Sequence, residues 1–66
     1  MTVDEVKAAV EAIRKVADDD EKAHGKEDAL HQKVLQAIAE GQCDDPVACA
    51  AAALLTRGIR FRRWCA

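Results

Sequence analysis

The chain contains no serine and no tyrosine, and Phe61 and Trp64 are its only aromatic residues. Without serine, and with no cysteine at a spacing that predicts a Cys–His pair, nucleophilic hydrolysis has no evident carrier. We therefore expect no enzyme and nominate no catalytic residue. Cysteine is scarce and odd in number: Cys43, Cys49 and Cys65, with no CxxC pair. That argues against a secreted disulfide framework and against a cysteine-based zinc site. Reduced thiols in the cytoplasm are the plain expectation, although a Cys43–Cys65 bridge stays open if the tail folds back. The longest apolar run, residues 47–55, is nine residues and mostly alanine, far short of the ~18–20 apolar residues of a membrane span. The opening MTVDEVKAAV lacks the basic start and apolar stretch of a secretory signal.

Large apolar side chains are also few. Half of the 66 residues are hydrophobic, but fourteen of these are alanine and three cysteine, leaving sixteen larger ones. A chain of this length buries only about 60% of the surface it exposes when unfolded. Burial and ordering entropy then nearly cancel, a shortage that a second copy would relieve. A homo-oligomer and a monomer are equally expected on this ground.

Acidic residues are missing from one end. Residues 1–45 carry twelve acids against six Lys/Arg, a net of −6, whereas residues 46–66 carry four arginines and no acid, a net of +4. Either the tail docks on its own acidic helices, or it offers a basic face to a partner.

What is present reads as helix. Thr2-Val3-Asp4-Glu5 is a capping box. Val3, Val6, Val10, Ile13 and Ala17 follow at 3-4 spacing on one face. A second helix includes Leu30, Val34, Leu35, Ala37 and Ile38 and stops at Gly41. Its start is open. The register continues unbroken from Val3 through Ala17, Asp20, His24, Glu27, His31, Val34 and Ile38. A turn at residues 18–20, a restart after Gly25, or one helix of nearly forty residues all fit. We prefer the turn, because acidic clusters suit a helix start. Asp45-Pro46 opens a third helix, with Asp45 as N-cap and Pro46 at the first position, running to about Arg57 before Gly58. Its alanines permit close approach to its neighbours. Phe61 and Trp64, three apart, suggest one more helical turn. The expected fold is all-α: a single domain, residues 1–66, forming a small helical bundle of three main helices plus a short C-terminal helical turn.

The stretch DDDEKAHGKEDALH, residues 18–31, concentrates two histidines and six carboxylates. On a helix, Asp20, His24, Glu27 and His31 form one stripe, continuing the line held elsewhere by Val and Ile. Glu21-x-x-His24 and Asp28-x-x-His31 repeat a carboxylate–histidine pair seven residues apart, and Glu-x-x-His is the unit of di-metal helical bundles. His24 and His31, however, are separated by about 10.5 Å of helical rise, too far to share an ion. Three readings follow in descending order: ordinary surface or inter-helix hydrogen bonding, a recognition surface, and a metal site built from His24, Glu27, Asp28 and His31.

In the tail, Arg57, Arg60, Arg62 and Arg63 alternate with Ile59, Phe61 and Trp64. Such a pattern can grip phosphates and stack on bases, but a pI of about 5.6 argues against a nucleic-acid binder. An internal clasp between these arginines and the acidic helices is favoured. The combination of DDEKAHGKEDALH with IRFRRWCA resembles short helical proteins of actinobacteria and their phages, which carry no assigned activity. The resemblance implies that the two stretches act together as one surface, and it implies an intracellular location.

The functional expectation is an interaction or regulatory module. It would bind a protein partner through Asp20, His24, Glu27 and His31, through Arg60, Arg62, Arg63 and Trp64, or through both. The first alternative is a bundle binding a divalent transition metal and completed by dimerisation; otherwise no cofactor is expected. The second alternative is nucleic-acid binding through the tail. No membrane partner is expected.

Overall fold

The first helix begins where the Thr2 hydroxyl accepts from the Glu5 N–H at 3.2 Å and the Glu5 carboxylate accepts from the Thr2 N–H at 3.1 Å. In the computed structural model, which describes residues 1–63, this helix is α1, Val3–Lys15. It buries Val6, Val10 and Ile13. Residues 16–18 then turn the chain, and Asp19 caps α2, Asp20–Ala39, by accepting from the Lys22 N–H at 3.1 Å. Asp20 and Glu21 occupy the first turn, where negative charge is favoured by the helix dipole. The turn near residue 18 is therefore the one the chain adopts. Gly25 stays inside α2 as an ordinary helical residue.

α2 ends in a complete Schellman motif. Gly41 takes the left-handed conformation at φ 69°, its N–H reaches the Ile38 carbonyl, and the Gln42 N–H reaches the Ala37 carbonyl. Asp45 then accepts from the Ala48 N–H at 3.0 Å to cap α3, Pro46–Leu54, with Pro46 at its start. The amino end of the chain is tied to this corner, since Met1 N donates to the Gln42 carbonyl and the Asp44 N–H donates to the Met1 carbonyl.

All three helices pack on one another around Val6, Val10, Ile13, Leu30, Val34 and Ile59. Ala23, Ala52 and Ala53 are buried where the helices meet, as the alanine content of α3 suggests. The fold is all-α, a small three-helix bundle, with no strand among the described residues. No helix among them is long and apolar enough to cross a membrane. The Cα extents are 33 × 20 × 14 Å. The shortest matches two layers of helix, each with Cα atoms on a cylinder of about 2.3 Å radius, at the ~8–10 Å packing distance, so the core is a single thin layer.

Two boundaries differ from the sequence expectation. α3 does not run to Arg57 as α-helix; it tightens into a 3-10 turn over Leu55–Gly58. There the Thr56 hydroxyl donates to the Ala53 carbonyl at 3.1 Å. Residues 59–63 also do not make the expected further helical turn. Their backbone is engaged by side chains: the Arg62 N–H donates to Asp20 Oδ1 at 3.0 Å, and the Ile59 carbonyl accepts from Arg63 at 3.0 Å. Trp64 and Cys65, and with them the aromatic end of the tail and the Cys43–Cys65 bridge, lie outside the described residues.

Candidate functional site

The stripe Asp20, His24, Glu27, His31 does project to one side of α2, and that side faces inward. Buried residues of α2 fall at Ala23, Glu27, Leu30 and Val34, so Glu27 sits at the centre of the packed face and the other three flank it half-buried. A carboxylate 4% exposed requires a partner, and the tail supplies one. Arg63 Nε donates to Glu27 Oε1 at 2.9 Å and to Oε2 at 3.1 Å, and Arg63 Nη2 donates to Oε2 at 3.0 Å. The same Nη2 reaches the Thr56 carbonyl at 2.6 Å and the Ile59 carbonyl at 3.0 Å. The guanidinium carbon lies 3.9 Å from the Phe61 ring centroid, a cation–π contact. Burial alone would push the Glu27 carboxyl upward. The Arg63 hydrogen bonds and charge, with His31 beside it, outweigh that and hold it below the ordinary carboxylate value.

His31 closes the same cluster. Its Nε2 lies 3.0 Å from Thr56 Oγ1 and 3.2 Å from the Ala53 carbonyl. Because the Thr56 hydroxyl proton points to Ala53, the consistent assignment puts the imidazole proton on Nε2, donating to both oxygens. Thr56 is fully buried and joins α3, His31 and the tail. Asp20 accepts from the Arg62 backbone. His24 stands apart, 3.5 Å from Asp28 Oδ2 in an i,i+4 pair.

The predicted metal set is not assembled. Among the described residues no three His, Cys, Asp or Glu side chains gather closely enough to hold an ion. The reason is local: both Glu27 oxygens and the inward nitrogen of His31 already have partners within the chain. The predicted binding face divides in a similar way. Glu27, His31 and Arg63 are joined to one another through Thr56 and the tail, whereas the side chains of Arg60 and Arg62 are exposed and Trp64 is outside the described residues. The arrangement is an internal clasp, with no polar side-chain atom left buried and unpartnered among the described residues.

A different surface carries what has no partner in the fold. Between α2 and α3 runs an apolar groove of about 260 Å³, lined by His31, Val34, Leu35, Ile38, Ala50, Ala53 and Leu54. Two of its walls are themselves open to solvent, Leu35 at 66% and Leu54 at 60%, and Val47 at 80% and Leu55 at 54% are the other exposed large apolar side chains of α3 and its 3-10 turn. A second hollow of about 310 Å³ beside Met1 is lined by Glu5, Lys33, Gln36, Ala37, Glu40 and Gln42. Sequence reasoning missed both Thr56 and the groove. The signal for the groove was the absence of charge from Pro46 to Thr56. A nine-residue helix at the edge of a bundle buries only one side, here Cys49, Ala52 and Ala53, so its other side must present apolar atoms to water.

Comparison with protein-family models, with curated proteins and with solved structures finds no match to this chain.

Proposed function

We propose that the chain is a small protein-interaction module, and that its docking surface is the α2–α3 groove, which receives an α-helix bearing an apolar stripe. The observation that carries this reading is the exposure of Leu35 and Leu54 on the groove walls, with Val47 and Leu55 also more than half exposed, in a protein that has few large apolar residues. Apolar patches of this kind mark interaction sites, and a cleft flanked by two helices suits the helix-in-groove mode of recognition. Charge narrows the partner further. Asp44 and Asp45 precede α3 and Arg57 follows it, all exposed, so the incoming helix carries basic and acidic ends in the reverse order. Among the described residues Cys43 and Cys49 form no disulfide, which fits a reducing, cytoplasmic compartment.

This reading departs from the expected binding face on α2. Glu27 and His31 hold the tail, and Arg63 is removed from any basic patch by its pairing. The test is a titration of the methyl- and imidazole-labelled protein with a synthetic amphipathic helix, apolar at i, i+3, i+4 and i+7 and charged at its ends as above. Saturable shifts of the Leu35, Ile38 and Leu54 methyls, lost in Leu35→Glu, are expected. Shifts confined to His24 and the arginine tail would contradict the proposal.

A further inference from the structure

Which helix fits the groove is answered by the chain itself. Val47, Ala50, Ala51 and Leu54 lie along the side of α3 opposite its buried Cys49, Ala52 and Ala53. In the 3-10 turn, where residues three apart eclipse, Arg57 continues the same line beyond Leu54, and at the other end the exposed Asp44 stands just before the N-cap Asp45. The order along the helix face is large apolar, small, small, large apolar, with an exposed acid before the helix and an exposed base after it. Turned end for end, it matches itself. Among the described residues, neither Asp44 nor Arg57 takes part in an ion pair.

We infer that a second copy of this chain occupies the groove, with the two α3 helices antiparallel across a two-fold axis between Ala50 and Ala51. This rests on the reading of the groove as a docking surface and names its occupant. In that register Ala50 faces Ala51, Val47 faces Leu54, and Asp44 faces Arg57, each contact occurring twice because a two-fold interface is self-complementary. The central alanines let the helix axes approach to the near end of the ~8–10 Å packing range. Ala50 and Leu54 belong both to this face and to the groove wall, so the second copy's Val47, set opposite Leu54, comes to the edge of the groove. Antiparallel helices also place the positive end of each dipole by the negative end of the other. A second, independent consideration is size. A bundle 14 Å through in its short direction, built from so few large side chains, gains from a partner of its own kind the apolar burial that it lacks alone.

The contact area a nine-residue helix offers is small, so the pairing is of the weak, reversible class, with a dissociation constant on the order of 10–100 µM. Sedimentation equilibrium of the full chain from about 1 µM to 1 mM reads it directly and should show a monomer–dimer transition in this range. Val47→Glu places a carboxylate in the first turn of α3, where the helix itself tolerates it. It should weaken the dimer by about 100-fold, through desolvation of two charges, with circular dichroism unchanged. Asp44→Arg or Arg57→Asp alone should weaken it about tenfold, and the two together should restore it to within about threefold.

A chain that stays monomeric at 1 mM overturns the inference, as does a dimer indifferent to Val47→Glu or a charge exchange without rescue. If a chain ending at Arg63 dimerises while the full chain does not, the occupant is the chain's own residues 64–66 and the inference also fails. A monomer that still binds the synthetic helix at the Leu35 and Leu54 methyls removes only the self-pairing. A monomer that binds no helix there removes the groove reading with it.

Discussion

The inward face of α2 and the outward face of α3 are opposites in chemistry and in their degree of completion. The first holds a buried carboxylate, a histidine and an aspartate, and each of these finds a partner in the last eleven described residues, from Ala53 to Arg63. The second is apolar from Val47 to Leu54, and four large side chains of α3, its 3-10 turn and the neighbouring α2 meet water. Polar groups taken into a thin core must be satisfied at once or the fold fails. Exposed methyl groups carry no such requirement, so a surface can keep them for something else. The conspicuous residues are the structural ones here, and the bland helix is the open one.

Breaking the clasp should produce the largest effect. Arg63→Ala leaves Glu27 buried without its cation and is expected to destabilise the fold by about 3 kcal/mol, read from urea denaturation. For a chain of this size that is a large part of its total stability. Titration sharpens the same point. The Glu27 carboxyl is held low in the folded state. Its stabilising contribution is therefore complete above the unfolded value and lost as pH falls below about 4.3. In Arg63→Leu burial is opposed only by the neighbours that remain, the carboxyl rises, and the loss of stability on acidification should shrink. A pH profile identical to that of the parent protein would contradict the pairing.

Next in size is Thr56→Val, which removes the hydroxyl shared by His31 and Ala53 and should lower stability by about 1–2 kcal/mol. Gly25→Ala should raise it by about 0.5–1 kcal/mol, since a methyl group there meets nothing within 4 Å. The same exchange at Gly41 should lower it, because φ there is +69°. Smallest of all are His24→Ala, which loses only an i,i+4 pair, and Val47→Gln on the open face. Each should stay within about 0.5 kcal/mol in the same urea assay. A large loss from Val47→Gln would mean that α3 is structurally complete only with its outer face covered.

The fold was legible where local chemistry decides it. Thr2 with Glu5, Gly41, and Asp45 with Pro46 each act within four residues, and each forms the cap its sequence announces. The break between α1 and α2 was harder, because the apolar register from Val3 to Ile38 is the same with or without a turn. Asp19 closing on Lys22 decides it. The stripe of Asp20, His24, Glu27 and His31 was legible as a stripe, and the split of charge between the two ends pointed to a clasp. Which arginine closes it was not legible, since Glu27 and Arg63 are 36 residues apart and nothing local distinguishes Arg63 from Arg60 or Arg62. Thr56 was invisible for the same reason: its importance comes from three segments meeting around it. The helical turn expected of Phe61 and Trp64 failed because spacing describes a helix only when the backbone has no better partners, and Asp20 and Arg63 provide them.

The most direct test of the clasp is a double-mutant cycle on Glu27 and Arg63. Unfolding free energies would be measured for the parent, Glu27→Ala, Arg63→Ala and the pair. A coupling of about 2–4 kcal/mol is expected, with the double variant more stable than the sum of the two losses implies. Additive losses would mean that the tail does not hold the inward face of α2, and the contrast between a completed face and an open one would fall.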